Sequence, residues 1–269
     1  MNPTLICACT LGNPPFDELL AIAAEQNVDG LSLWQPYIEE QLAAGWTLDA
    51  MRRRLQETGV RVALMEACTR WSQTTGFDDA ARGEAAALVA LAKALEAPQI
   101  LAVNLESAAA LDGMAESFRE LCAFLAEEDL RCAVEFLPWT GLADLASTRV
   151  LLDAASEYRP QVMLDSWHVF RGTTSLEEIA ALPADSVMAL QLNDFKGDGQ
   201  RPSGFAETMS QRCLPGEGWF DLPALIQALR ASGNNAPLTV ELMQLDGSRP
   251  ARQLAEESQA ALQALLVRC

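Results

Sequence analysis

Eight short apolar runs alternate with eight amphipathic runs along the 269-residue chain, and no linker or low-complexity segment separates them. The strand-like runs are Leu5 to Thr10, Gly30 to Trp34, Val60 to Ala67, Ile100 to Leu105, Cys132 to Leu137, Val162 to Asp165, Val187 to Leu192 and Leu238 to Met243. Each is rich in valine, leucine, isoleucine or alanine and lacks clean polar alternation, as a parallel strand covered on both faces should. The intervening runs are Phe16 to Gln26, Leu48 to Thr58, Asp79 to Glu96, Met114 to Glu128, Asp144 to Glu157, Leu176 to Leu182, Leu222 to Ser232 and Ala251 to Val267. Pro14-Pro15 before the first, and Gly59 and Gly233 after two others, follow the boundary asymmetry of helices. Strict alternation in a length near the ~250 residues usual for the architecture predicts an α/β fold, a (β/α)8 TIM barrel forming a single domain over residues 1–269. An open doubly wound sheet would carry a glycine-rich phosphate loop after its first strand. Here Cys9-Thr10-Leu11-Gly12-Asn13-Pro14 holds one glycine followed by prolines, which disfavours nucleotide binding.

Charge narrows the partners. Nineteen basic residues against 37 acidic leave a formal net charge of −18, which repels phosphate backbones and anionic lipid surfaces. Arg52-Arg53-Arg54 reads as the solvated face of a helix, so neither nucleic acid nor membrane is expected as a partner. No apolar run approaches the ~20 residues of a spanning helix. The seven cysteines are odd in number and scattered, without a C-x-x-C pair, and no basic leader precedes the first apolar run. A reduced, cytoplasmic setting is expected. Two thiolates, Cys7 and Cys9, do not by themselves make a zinc site.

In a barrel of this kind chemistry is built at the C-terminal ends of the strands. Four polar residues stand there, each flanked by apolar neighbours: Glu135, Asp165, Gln191 and Glu241. Three buried carboxylates on neighbouring strands are untenable unless a positive charge sits among them. A divalent cation meets that requirement, and three carboxylates with one amide carbonyl form a hard oxygen set suited to Mn²⁺ or Mg²⁺. His168, the chain's one histidine, follows Asp165 by three residues and is placed to contact substrate or orient a ligand. The longest irregular stretch, Phe195 to Phe220, follows the seventh strand, where a functional loop is expected.

Asp165-Ser166-Trp167-His168-Val169-Phe170-Arg171-Gly172, the run Val187 to Asp194, the run Arg212 to Leu222 with its P-G-E-G turn, and Val240-Glu241 resemble the xylose isomerase-like TIM barrel superfamily, in particular its sugar phosphate isomerase/epimerase group. That resemblance implies metal ligation by Glu135, Asp165 and Glu241, with Gln191 where many members have histidine. It also implies substrate contact by His168 and Arg212, with Arg201 a weaker candidate, while Glu217 shapes the turn. The superfamily's abasic-site endonucleases build a three-zinc centre from many histidines, and one histidine excludes that branch.

Such a site supports a metal-dependent isomerase or epimerase that acts on a sugar, keto-sugar or cyclitol through a metal-stabilised enediolate. Glu135 and Glu241 act as the catalytic acid and base. Dehydration of an inosose or of 3-dehydroshikimate is the alternative on the same intermediate, and a non-catalytic sugar-binding or partner subunit is the rival of a different class. A Schiff-base aldolase needs a lysine on an inner strand, and Lys93 and Lys196 lie in a helix and a loop. Trp34, Trp139 and Trp167 are candidates for an apolar wall against a small polyhydroxylated substrate, and Glu66 and Asn104 for contacts to its distal hydroxyls. The sequence leaves self-association into a homo-oligomer open.

Overall fold

The computed structural model describes residues 2–72, 76–107, 110–197, 204–243 and 249–269. In chain order the strands are β1 (Thr4–Cys7), β2 (Gly30–Trp34), β3 (Val62–Cys68), β4 (Gln99–Val103), β5 (Arg131–Glu135), β6 (Gln161–Asp165), β7 (Val187–Leu192), β8 (Asp194–Phe195), β9 (Arg212–Cys213) and β10 (Leu238–Val240). Strands β1 to β7 and β10 form a closed parallel barrel, sealed where β10 pairs with β1, Thr4 opposite Leu238. Strands β8 and β9 make a separate antiparallel ribbon in the long connection between β7 and β10.

Helices occupy all eight expected segments: Phe16–Glu25, Leu48–Thr58, Asp79–Ala94, Leu111–Ala126, Leu145–Ala154, Leu176–Ala180, Leu222–Ala231 and Ala251–Leu266. Five of these starts are chemically marked, because Thr47, Asp78, Asp144, Ser175 and Asp221 accept hydrogen bonds from first-turn amides. Those amides have no carbonyl partner inside the helix. Three helices were not expected: Gln35–Ala43, Ser166–Arg171 and Phe205–Ser210. The last two complete fewer than two turns, too short for a 3.6-residue period to show in sequence. The first strand is also shorter than its apolar run, ending at Cys7, after which Cys9–Leu11 form a 3₁₀ turn closed by Gly12 at φ 71°.

The barrel separates two apolar cores. Leu5, Leu64, Leu101, Ala133, Met163 and Ala189 fill the inside, whereas Ile6, Met65, Val134, Leu164, Leu190 and Val240 face the helices. Successive strand side chains point to opposite faces. Parity therefore turns one polar or thiol side chain inward near the C-terminal end of each of seven strands: Cys7, Ser32, Glu66, Glu135, Asp165, Gln191 and Glu241. A row of buried apolar residues below them, and these groups above, make one end of the barrel chemically distinct.

The connection carrying β8 and β9 folds back on itself through Asp194. Its carboxylate accepts from the amides of Phe195, Phe220 and Gly216 at 2.8, 3.0 and 3.0 Å. A Cβ on Gly218 would fall 2.2 Å from the Phe195 carbonyl oxygen and 2.3 Å from Asp194 Oδ1, so only glycine lets the P-G-E-G turn close on the ribbon. Glu217 accepts from the Leu214 amide and from Lys196 Nζ.

Candidate active site

Register brings the strand-end groups to one level. Asp165 stands opposite Gln191 across β6 and β7. Glu241, one residue past β10, donates its amide to the Leu192 carbonyl at 3.0 Å. Gln191 Nε2 in turn donates to Glu241 Oε1 at 2.8 Å. Glu135, the last residue of β5, joins the same cluster, and its Oε1 lies 3.4 Å from His168 Nε2, which is 3.9 Å from Asp165 Oδ2. The three carboxylates thus converge, and each is at least nine-tenths buried.

The positive charge that such a cluster requires is supplied in part by Arg212. From the first residue of β9 its Nη1 donates to Asp165 Oδ2 at 2.7 Å and to Glu241 Oε2, while Nε and Nη2 both donate to Thr208 Oγ1 at 3.0 and 2.9 Å. Burial alone would raise the Asp165 pKa. The Arg212 guanidinium, then His168 and the Asn193 amide, outweigh that effect and hold this carboxyl below its ordinary value. Burial dominates at Glu241, where the same guanidinium offsets it incompletely, and the pKa ends well above the carboxylate range. Environment therefore pushes the two carboxyls in opposite directions, a pattern that marks acid and base sites.

Other residues prove to be supports. Asp165 Oδ1 accepts from the Trp167 amide at 2.6 Å and from Asn193 Nδ2 at 2.9 Å, and Ser166 Oγ donates to the Asn193 carbonyl. Asn193 and Thr208 did not emerge from the sequence. Asn193 had a signal, since it follows Gln191 by two residues. Thr208 had none, because its partner Arg212 is not on a barrel strand. Trp139 meets His168 edge-on, ring centroids 5.3 Å apart. Trp167 is fully buried against Phe195 and Phe220, and Asn104 is fully buried with its Oδ1 accepting from Ser72 Oγ and the Glu106 amide. Trp34 stands at the end of β2 with its Nε1 bonded to Asn13 Oδ1 at 3.1 Å. Arg201 lies outside the described residues.

Glu66 sits across from these groups on β3 and accepts from Ser32 Oγ. Burial, helped by the Glu135 charge and opposed by the Ser32 hydroxyl, pushes its pKa up to about 7. A carboxyl that binds its proton more tightly folded than unfolded adds stability that is complete below about pH 4.5 and lost as pH rises through about 7. At about 1.36 kcal/mol per pKa unit, reduced for partial exposure, the loss is about 2 kcal/mol. Glu66→Gln is therefore expected to match the parent at pH 4 and to exceed its stability by about 2 kcal/mol at pH 8, measured by urea unfolding with chelator present. Equal stability of the two proteins at pH 8 would contradict this.

The donor set fits a divalent cation. Glu135 Oε1 and Gln191 Oε1 are buried acceptors without a hydrogen-bond partner among the described residues, and one ligand atom each of Glu135, Asp165 and His168 lies within 4.8 Å of the others. Unpaired buried acceptors beside a carboxylate cluster are what a cation would satisfy. A separate groove of about 440 Å³ opens at the opposite end of the barrel, lined by Leu5, Val60, Arg61, Gln99 and Pro237 among others. It lies at the N-terminal ends of the strands, the end that serves stability in this architecture, away from every group above.

Comparison with known proteins follows the same lines. A family model described as xylose isomerase-like TIM barrel matches residues 20–265. A 3-dehydroshikimate dehydratase of Pseudomonas aeruginosa is 28% identical over 139 residues, 51% of this chain, and the match spans 22% of that protein's length. Among solved structures, a xylose isomerase-like TIM barrel/4-hydroxyphenylpyruvate dioxygenase fusion protein superposes with TM-score 0.86 at 20% identity, over 98% of this chain and 42% of its own. The IolI protein with a bound zinc atom gives 0.87 at 17%, covering 99% and 98%. A D-allulose 3-epimerase from Methylomonas sp. in complex with D-allulose gives 0.73 at 14%, covering 100% and 98%. Each of these likenesses to solved structures is one of fold. Among the described residues, no helix is long and apolar enough to cross a membrane.

Proposed function

This chain belongs to the xylose isomerase-like TIM barrel family, and from that premise we propose that it moves a proton on the carbon next to a carbonyl in a small polyhydroxylated substrate, as a sugar, keto-sugar or cyclitol isomerase or epimerase. The observation that carries this reading is the convergence of Glu135, Asp165 and Glu241 in one buried cluster in which Glu135 Oε1 and the neighbouring Gln191 Oε1 lack hydrogen-bond partners among the described residues. Glu135, Asp165, Glu241 and the Gln191 carbonyl would hold a divalent cation, Mn²⁺ or Mg²⁺ by their hard oxygen character. When bound, that ion would polarise the substrate carbonyl and offset the charge that develops as the carbon loses its proton.

The protein's own residues divide the remaining work. Glu135, with an oxygen free of hydrogen bonds, accepts the proton from carbon. Glu241, whose affinity for a proton burial raises, returns one. Their strands, β5 and β10, are separated in the barrel by β6 and β7, which suits attack from two faces of a bound ring or chain. His168, backed by Trp139, donates a hydrogen bond to a substrate oxygen, and Arg212 holds Asp165 charged. Return of the proton to the opposite face is epimerisation, and return at the neighbouring carbon is isomerisation.

A second reading, loss of a β-hydroxyl from the same intermediate, is favoured by the similarity to the dehydratase of P. aeruginosa, although the whole of that longer protein is not represented here. Incubation with ketoses, inososes and 3-dehydroshikimate in deuterated water with Mn²⁺ separates the cases. Deuterium in recovered sugar supports the first reading, an unsaturated product the second, and saturable binding without exchange a non-catalytic module.

A further inference from the structure

We infer that the mouth of the barrel carries a second cation site, for a thiophilic ion of the Zn²⁺ type, formed by Cys7, Cys9 and Glu241. Parity along β1 turns Cys7 inward, above Leu5. The chain then leaves the strand, the Ala8 amide bonds the Ser32 carbonyl at 3.2 Å, and the 3₁₀ turn that follows brings Cys9 back beside Cys7. The two sulfurs are 3.2 Å apart. One ligand atom each of Cys7, Cys9 and Glu241 lies within 4.8 Å of the others, and all three residues are buried. Met243 adds a thioether 3.8 Å from Cys9 Sγ.

The chemistry of this group differs from that of the oxygen cluster beside it. Two soft thiolates beside one carboxylate carry three negative charges, and the sulfurs favour zinc or cadmium over manganese or magnesium. Tetrahedral ligation at about 2.3 Å per sulfur sets two sulfurs about 3.8 Å apart, so the pair needs to open by only about half an ångström. Binding displaces the two thiol protons to solvent and leaves the fourth position to Met243, water or substrate. Glu241 stands between the two donor sets, while Glu135 and Asp165 belong to the oxygen set alone. The inference does not depend on the proposed reaction.

Cadmium titrated into the reduced protein provides the test, followed by thiolate-to-cadmium charge-transfer absorption and equilibrium dialysis. One cadmium per chain is expected to produce the absorption. Cys7→Ser and Cys9→Ser should each weaken that binding at least tenfold, and Glu135→Gln should leave it in place. Manganese should produce no such absorption. X-ray absorption at the cadmium edge of the unaltered protein should find two sulfur neighbours, a readout independent of whether the variants fold. The inference is overturned by an all-oxygen shell, by absence of the absorption, or by its persistence at full size in the Cys7→Ser/Cys9→Ser double variant, which would assign it to the other five cysteines.

Discussion

Glu241→Gln is expected to slow exchange of the substrate's reacting hydrogen with solvent by about 10²- to 10⁴-fold, the range that a positioned acid or base contributes. Glutamine keeps the size of the side chain and can still meet Gln191 and Arg212, but it cannot return a proton to carbon. Burial raises the Glu241 pKa, a sign that its charge is costly there, so a neutral isostere should cost little thermal stability. A large catalytic loss without a stability loss is the signature sought. Glu135→Gln should produce a similar loss by removing the group that accepts the proton. Deuterium incorporation followed by mass spectrometry, beside a thermal melt of each variant, makes the measurement. Exchange within threefold of the parent in both variants would remove the two glutamates from the chemistry.

The same pair illustrates what sequence can and cannot reveal. Strands were legible because both cores, inside and outside the barrel, demand apolar residues, so a lone carboxylate in an apolar run stands out. Glu135, Asp165 and Glu241 were visible for that reason, and the need for a positive charge among them followed from elementary electrostatics. That a guanidinium supplies part of it was not legible. Arg212 reaches the cluster from a two-residue ribbon strand whose geometry depends on Asp194 gathering three backbone amides and on Gly218 letting two chain segments touch. No period announces such contacts. Trp167 shows a different limit. Its place near a strand end suggested an apolar wall, and the short helix Ser166–Arg171, invisible in the sequence, instead packs it against Phe195 and Phe220, because neighbouring residues on a helix point about 100° apart.

Arg212→Met is expected to destabilise the chelator-treated protein by about 3–5 kcal/mol, since removal of one partner strands the charge of Asp165 in a buried site. At about 2–4 °C per kcal/mol for a domain of this size the melting temperature should fall by roughly 6–20 °C. The consequence that distinguishes this cluster from an ordinary buried ion pair is rescue by metal. A cation held by Glu135, Asp165 and Glu241 supplies the charge that the guanidinium supplied, and at a hundredfold excess over its dissociation constant it adds about 2.7 kcal/mol to the folded state. Mn²⁺ should therefore raise the melting temperature of Arg212→Met by more than that of the parent, in which the ion must share Asp165 and Glu241 with Arg212. Paired thermal melts of parent and variant, with chelator and with Mn²⁺, read the difference directly. An identical metal-induced shift in the two proteins would mean that guanidinium and ion do not serve the same carboxylates, and would separate the charge balance of the fold from the chemistry proposed for the site.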